Sequence, residues 1–149
     1  MPLNPTGLRD SLEDLFSDPG ANTAVIANAW GSAMTSYAAA VVPPSTTVSA
    51  AGVALSSTLV PIFSSPGTLL DKAGLVDAAI VSWAVTIGGG MAPANGFLAA
   101  PLVGVLTAMT PPWPETHEEA AQKWADMIDL YTKSCLAIPI SGTGAIPWS

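Results

Sequence analysis

From Pro19 to Leu70 the chain runs for fifty-two residues, PGANTAVIANAWGSAMTSYAAAVVPPSTTVSAAGVALSSTLVPIFSSPGTLL, without one Asp, Glu, Lys or Arg. A soluble surface of that length ordinarily carries charge, so the tract belongs in a core, against another protein, or in a bilayer. A second charge-free tract covers residues 78–114. The charges gather elsewhere: five at 9–18, three at 71–77 and seven at 115–133.

Composition narrows the choice. A chain of 149 residues is enough for one domain, and at that size a core burying roughly 68–70% of the extended-chain surface is within reach. Charged residues make up 10% against a usual value of about 25%. Hydrophobic residues make up 50%, which is incompatible with intrinsic disorder. The net charge is -7, and the cations are Arg9, Lys72, Lys123 and Lys133. Nucleic acid requires a basic patch, so no nucleic-acid partner is expected; an anionic membrane surface attracts Lys and Arg clusters, and none is present. The single Cys135 forms no internal disulfide and leaves the redox compartment open. The opening stretch MPLNPTGLRDSLEDLF is acidic, so no signal peptide is expected.

Apolar spacing of three and four predicts helices. Leu8, Leu12, Leu15 and Phe16 mark one over 7–17, stopped by Asp18-Pro19-Gly20. Ile26, Trp30, Ala33, Met34, Tyr37 and Val41 mark a second over 21–42, with Asn28, Ser32, Thr35 and Ala39 opposite, ended by Pro43-Pro44. Val48, Gly52, Leu55 and Leu59 mark a third over 46–60, capped from Ser45–Thr47, with Pro61 near its end. Thr68 and Asp71 have capping-box spacing ahead of a fourth over 69–87, whose stripe is Leu69, Ala73, Val76, Ile80, Trp83 and Ile87 and whose stop is Gly88-Gly89-Gly90. Residues 91–114 read as loop, with Pro101 opening a short helix LVGVLTAM. Thr116 and Glu119 box the start of the last helix, with Ala120, Trp124, Met127, Ile128 and Tyr131 inward and Asp129 paired to Lys133. The expected fold is all-α: a bundle of about five helices in residues 1–135, with a long irregular 88–114 segment and an extended C-terminal tail, 136–149.

Signals for catalysis are poor. His117 stands in the first turn of a helix, where a charged imidazole opposes the helix dipole, and reads as a solvated residue. Cys135 has no cation close in sequence to lower its pKa and reads as a small buried hydrophobe. The acids at 115, 118, 119, 126 and 129 read as a solvated helix face, not a metal site. Gly88–Gly90 and Gly142-Thr-Gly144 lack the strand–turn–helix setting of a phosphate loop. No catalytic residue, metal or cofactor is expected.

A bilayer-spanning helix needs about 20 largely apolar residues. Segment 21–42 has the length, but it carries Asn22, Asn28, Ser32 and Ser36, its polar positions segregate onto one face, and flanking Lys and Arg are nearly absent. Interface cores, by contrast, are depleted of charge, so uncharged helix faces are expected to pack between identical subunits in a ring or tube. Trp113 and Trp148 lie in proline-rich, non-helical segments and are expected to anchor contacts. The uncharged tail, with Ile138, Ile140, Ile146, Pro147 and Trp148, is expected to lie along a neighbour.

Short predicted helices, low charge, proline-punctuated loops at Pro43-Pro44 and Pro111-Pro112, and the 136–149 tail together make the chain resemble the small structural subunits of tailed-phage virions and related contractile injection particles. The resemblance implies a non-enzymatic assembly role at a neck, tail, baseplate or capsid, no cofactor, and a place in a virion put together in the host cytoplasm. The partners would be further copies and other particle proteins. The alternative expectation is a small multi-helix membrane protein of holin or pore type; a helical enzyme or ligand-binding domain is the third.

Overall fold

The computed structural model describes residues 3–18, 20, 22–91, 94–98, 114–139 and 144–149. The fold is all-α, a small helical bundle with one minor sheet. Among the described residues the helices are α1 (Pro5–Ser17), α2 (Thr23–Ala38), α3 (Val48–Ser64), α4 (Leu69–Gly89) and α5 (His117–Ser134), and the strands are β1 (Ala94–Leu98), β2 (Leu136–Pro139) and β3 (Ile146–Pro147).

Helix starts are set by side chains that satisfy the orphan N–H groups of a first turn. The Asn4 side chain accepts from Gly7 N at 3.0 Å, with Pro5 inside the first turn of α1. The Asn22 side chain accepts from Val25 N at 3.1 Å. At α4 the box is complete: Thr68 Oγ1 accepts from Asp71 N at 3.3 Å, and Asp71 Oδ2 accepts from Thr68 N at 2.7 Å. The Thr68 backbone and hydroxyl bonds hold the Asp71 carboxyl below its usual pKa. At α5, Glu119 N donates to Thr116 Oγ1 at 3.1 Å, but the Glu119 carboxylate reaches one residue further back, to Glu115 N at 2.8 Å. Thr47 caps α3 without a side-chain bond to it; its hydroxyl donates to Thr86 O at 2.6 Å, and the Ser45 hydroxyl donates to Ile87 O at 2.7 Å. The start of α3 is thereby tied to the end of α4.

The helices neighbour one another in the order α5–α1–α2–α3–α4. Every expected stripe residue whose side chain is described lies inward or partly so: Leu8, Leu12 and Leu15 of α1, Trp30, Met34 and Tyr37 of α2, Leu55 and Leu59 of α3, Ile80, Trp83 and Ile87 of α4, and Trp124, Ile128 and Tyr131 of α5 are all buried. Aromatic rings join the layers. Trp30 meets Trp124 edge-on with centroids 5.1 Å apart, and Tyr37 stacks on Trp83 at 6.4 Å. The buried Tyr37 hydroxyl donates to Asp129 Oδ1 at 3.0 Å, and burial raises its pKa above the ordinary phenol value.

Three expectations are corrected. Helix α2 ends at Ala38, four residues short of 42. Helix α3 continues through Pro61 to Ser64, without the bond that an N–H at 61 would give to Ser57 O and with Ser65 N closing the end on Pro61 O at 3.1 Å. The 88–114 segment is not irregular throughout: α4 extends to Gly89, and β1 pairs antiparallel with β2, Phe97 opposite Ala137 and Leu98 opposite Leu136. The short helix expected after Pro101 lies outside the described residues.

The described parts of the tail, 136–139 and 144–149, hold the extended strands β2 and β3 and pair with the same chain. Ala137 of β2 faces Ile146 of β3. Trp148 N donates to Cys135 O at 3.1 Å, while Val42 and Ser149 exchange both backbone bonds, at 2.8 and 3.1 Å.

Candidate functional site

Two surfaces with different chemistry wrap one core. Nine of the eleven acids lie on or beside α1 and α5, with Arg9, Lys123 and Lys133 among them. Lys133 Nζ meets Asp129 Oδ2 at 2.6 Å, and Arg9 meets Asp10 at 2.5 Å. The carboxylate of Asp10 raises the Arg9 pKa, with Glu118 of α5 and Glu13 contributing less. Helices α2 and α3 carry no charge at all. Their exposed positions are Ala24, Val25, Asn28, Ser32 and Ser36 on α2, and Ser49, Ala50, Val53, Ala54, Ser57, Thr58, Pro61 and Ser64 on α3. On α4 the outward positions past Asp71 are Gly74, Leu75, Ala78, Ser82, Val85 and Gly89. Val53, Leu75 and Val85 are 68%, 56% and 43% exposed, large apolar exposures for isolated helix positions.

Four hydroxyls on α3 and α4 are spent on their own helices. Ser57 donates to Val53 O at 3.1 Å, Thr58 to Ala54 O at 2.9 Å, Ser64 to Val60 O at 2.7 Å and Thr86 to Ser82 O at 2.9 Å. A hydroxyl bonded to its own helix one turn back has already satisfied its donor, so covering it costs less than covering a free one.

Between α2 and α3 the surface dips into a groove of about 510 Å³ at the closest approach of the two helices. Gly31 and Gly52 make the approach possible. A Cβ on Gly31 would meet Gly52 O at 2.5 Å, and one on Gly52 would meet Gly31 O at 2.8 Å. Thr35 and Ser56 flank the crossing and donate to Gly31 O and Gly52 O at 2.8 and 3.1 Å.

An apolar cavity of about 310 Å³ lies inside the bundle, where all five helices contribute. Trp30, Met34, Leu59, Phe63, Ile80 and Trp124 are among its walls, and among the described residues its one charged wall residue is Lys72. Lys72 is 9% exposed, and Nζ donates to Phe63 O, in the last turn of α3, at 3.4 Å. Neither ion pair among the described residues includes Lys72. The neighbouring Asp71 carboxylate is held by the Thr68 cap.

The residues singled out in sequence fall in different places. Ile138 and Ile146 are 37% and 43% exposed, and Pro147 beside them is exposed. Trp148 is 1% exposed, packed in the chain's own core. Trp113 and Ile140 lie outside the described residues. His117 is exposed at the first position of α5. Cys135 is buried, its thiol 3.6 Å from Tyr131 O. Among the described residues no group of three or more His, Cys, Asp or Glu side chains is placed to hold a metal ion. Sequence reasoning passed over Lys72, although its spacing of four from Val76 and eight from Ile80 puts it on the buried stripe.

No protein-family model, curated protein or solved structure matches this chain.

Proposed function

We propose that the protein is a non-enzymatic structural subunit of a large homo-oligomeric assembly, with copies packed through the outward faces of α3 and α4. The observation that carries this reading is the uncharged exterior of α3 and, beyond Asp71 and the half-buried Asp77, the neutral exterior of α4, bearing exposed Val53, Leu75 and Val85 with Ser57, Thr58 and Thr86 bonded to their own helices. Past Asp71 at the start of α4, removing such a face from water strands few polar groups, which is the composition of an interface core. The partner that fits is another copy. At a net charge of -7 copies repel one another, and with nine of eleven acids at α1 and α5 an α3–α4 contact keeps most of that charge apart. Exposed Ile138 and Ile146 would extend the contact through the tail. A virion or related particle as the setting rests on the resemblance in helix length, low charge and proline-marked loops.

The mass of the purified chain in detergent-free buffer tests this reading. A discrete multimer supports it, and a single copy at every concentration up to the millimolar range overturns it.

One observation favours the membrane alternative. Asp71–Gly89 of α4 is long and apolar enough to cross a bilayer, although 50% of that window is buried inside the fold. Fractionation of expressing cells separates the two readings: recovery in the soluble fraction favours the assembly, and recovery only in detergent extracts favours the bilayer.

A further inference from the structure

We infer that the cavity inside the bundle is a binding site for a single-chain amphiphile with an anionic head, a medium-chain carboxylate, seated with its chain among Trp30, Met34, Leu59 and Trp124 and its carboxylate on Lys72. The polar groups of this cavity gather at one end. Lys72 bonds Phe63 O there, and Thr23, another wall residue, has its hydroxyl 3.0 Å from that of Ser64, next in sequence to Phe63. From Lys72 the wall continues along α4 through Val76 to Ile80, roughly 12 Å at the helical rise per residue. Met34, Leu55 and Ile80 are apolar walls of the same cavity.

Size and charge both select the ligand. An apolar cavity of about 150 Å³ holds benzene, so twice that volume takes roughly ten carbons and a head group. The Lys72 ammonium has three donors and one long bond to a neutral carbonyl, at 9% exposure. A charge so far withdrawn from water is costly without a counter-ion. Lys72 acts on the adjacent Asp71 only through space, because that carboxylate is bonded to the Thr68 cap, and a carboxylate arriving with an apolar chain supplies a direct ion-pair partner. Both requirements fall on one molecule because Lys72 stands on the same face of α4 as Val76 and Ile80.

The test is titration calorimetry, with tryptophan fluorescence alongside, of the full chain with dispersed decanoate, decanol, and vesicles containing anionic lipid. The expected result is one decanoate per chain, a changed emission from Trp30 and Trp124, and decanoate bound roughly ten- to a hundredfold tighter than decanol, the range for a charge-assisted bond. Lys72→Met should abolish that preference and keep decanol binding, Lys72→Arg should restore it, and Leu59→Trp should block both ligands. Circular dichroism checks each variant's helicity. If Lys72→Met does not fold, Lys72→Arg and Leu59→Trp carry the decision. Equal affinity for decanoate and decanol in the unaltered chain, no binding of either, binding unaffected by Leu59→Trp, or uptake of vesicles without dispersed decanoate would each overturn the assignment.

Discussion

Helices α1 and α5 and helices α3 and α4 contribute to one core in the same way and treat the outside in opposite ways. Inward, both pairs present Leu, Ile and Trp at spacings of three and four. Outward, α5 shows Glu118, Glu119 and Asp126, whereas α3 shows Ala50, Val53 and Ala54, and α4 shows Gly74, Leu75 and Ala78. Folding requires only the inward pattern. The outward one is free to serve something else, and on α3, and on α4 past Asp71, it is made of small and apolar residues with little charge, which water alone does not demand.

Three sets of substitutions probe this contrast. The largest effect expected is on association. Val53→Asp and Leu75→Asp placed together on the neutral side should reduce an oligomer to single copies with little loss of helicity, because each exposed substitution alters folding stability by only about 0.5 kcal/mol. Leu130→Asp, at a position 59% exposed on α5, should leave the oligomer intact. Sedimentation velocity distinguishes the two, and equal behaviour of both variants would erase the distinction between the sides. The core should show no such asymmetry. Leu12→Ala at 0% exposure and Leu55→Ala at 3% should each cost about 2–5 kcal/mol in denaturant unfolding of the dissociated chain. The smallest effect concerns the charged side. Lys133→Ala should cost no more than about 0.5 kcal/mol, since its helix pair with Asp129 is half open to water at the lysine. That loss should fade further at high salt.

The legible part of the fold was the part governed by local periodicity. The five described helices were readable from their stripes, and the Thr68–Asp71 box from four letters. The strand β1 was not, because Ala94–Leu98 owes its extension to Leu136–Pro139, some forty residues later in the chain, and such pairing leaves no local trace. Trp148 is the instructive case at the candidate site. An apolar, uncharged tail fits a neighbour or its own core equally well by composition, and here its Trp lies in its own core, with the adjoining strand ends bonded to Cys135 and Val42. Removing 136–149 therefore takes out part of the core as well as any contact surface. Lys72 was legible only by position: a cation on a buried stripe is informative because of its neighbours four and eight residues on, not because of its type.

The meeting of Gly31 with Gly52 bears on more than the pair itself. Each glycine leaves out the methyl that would strike the carbonyl of the other, so the relief of the neutral side is moulded by two absent carbon atoms. Alanine at either position would push the helices apart and change the contour offered to whatever lies against it, without adding a charge, a donor or an acceptor anywhere on the surface.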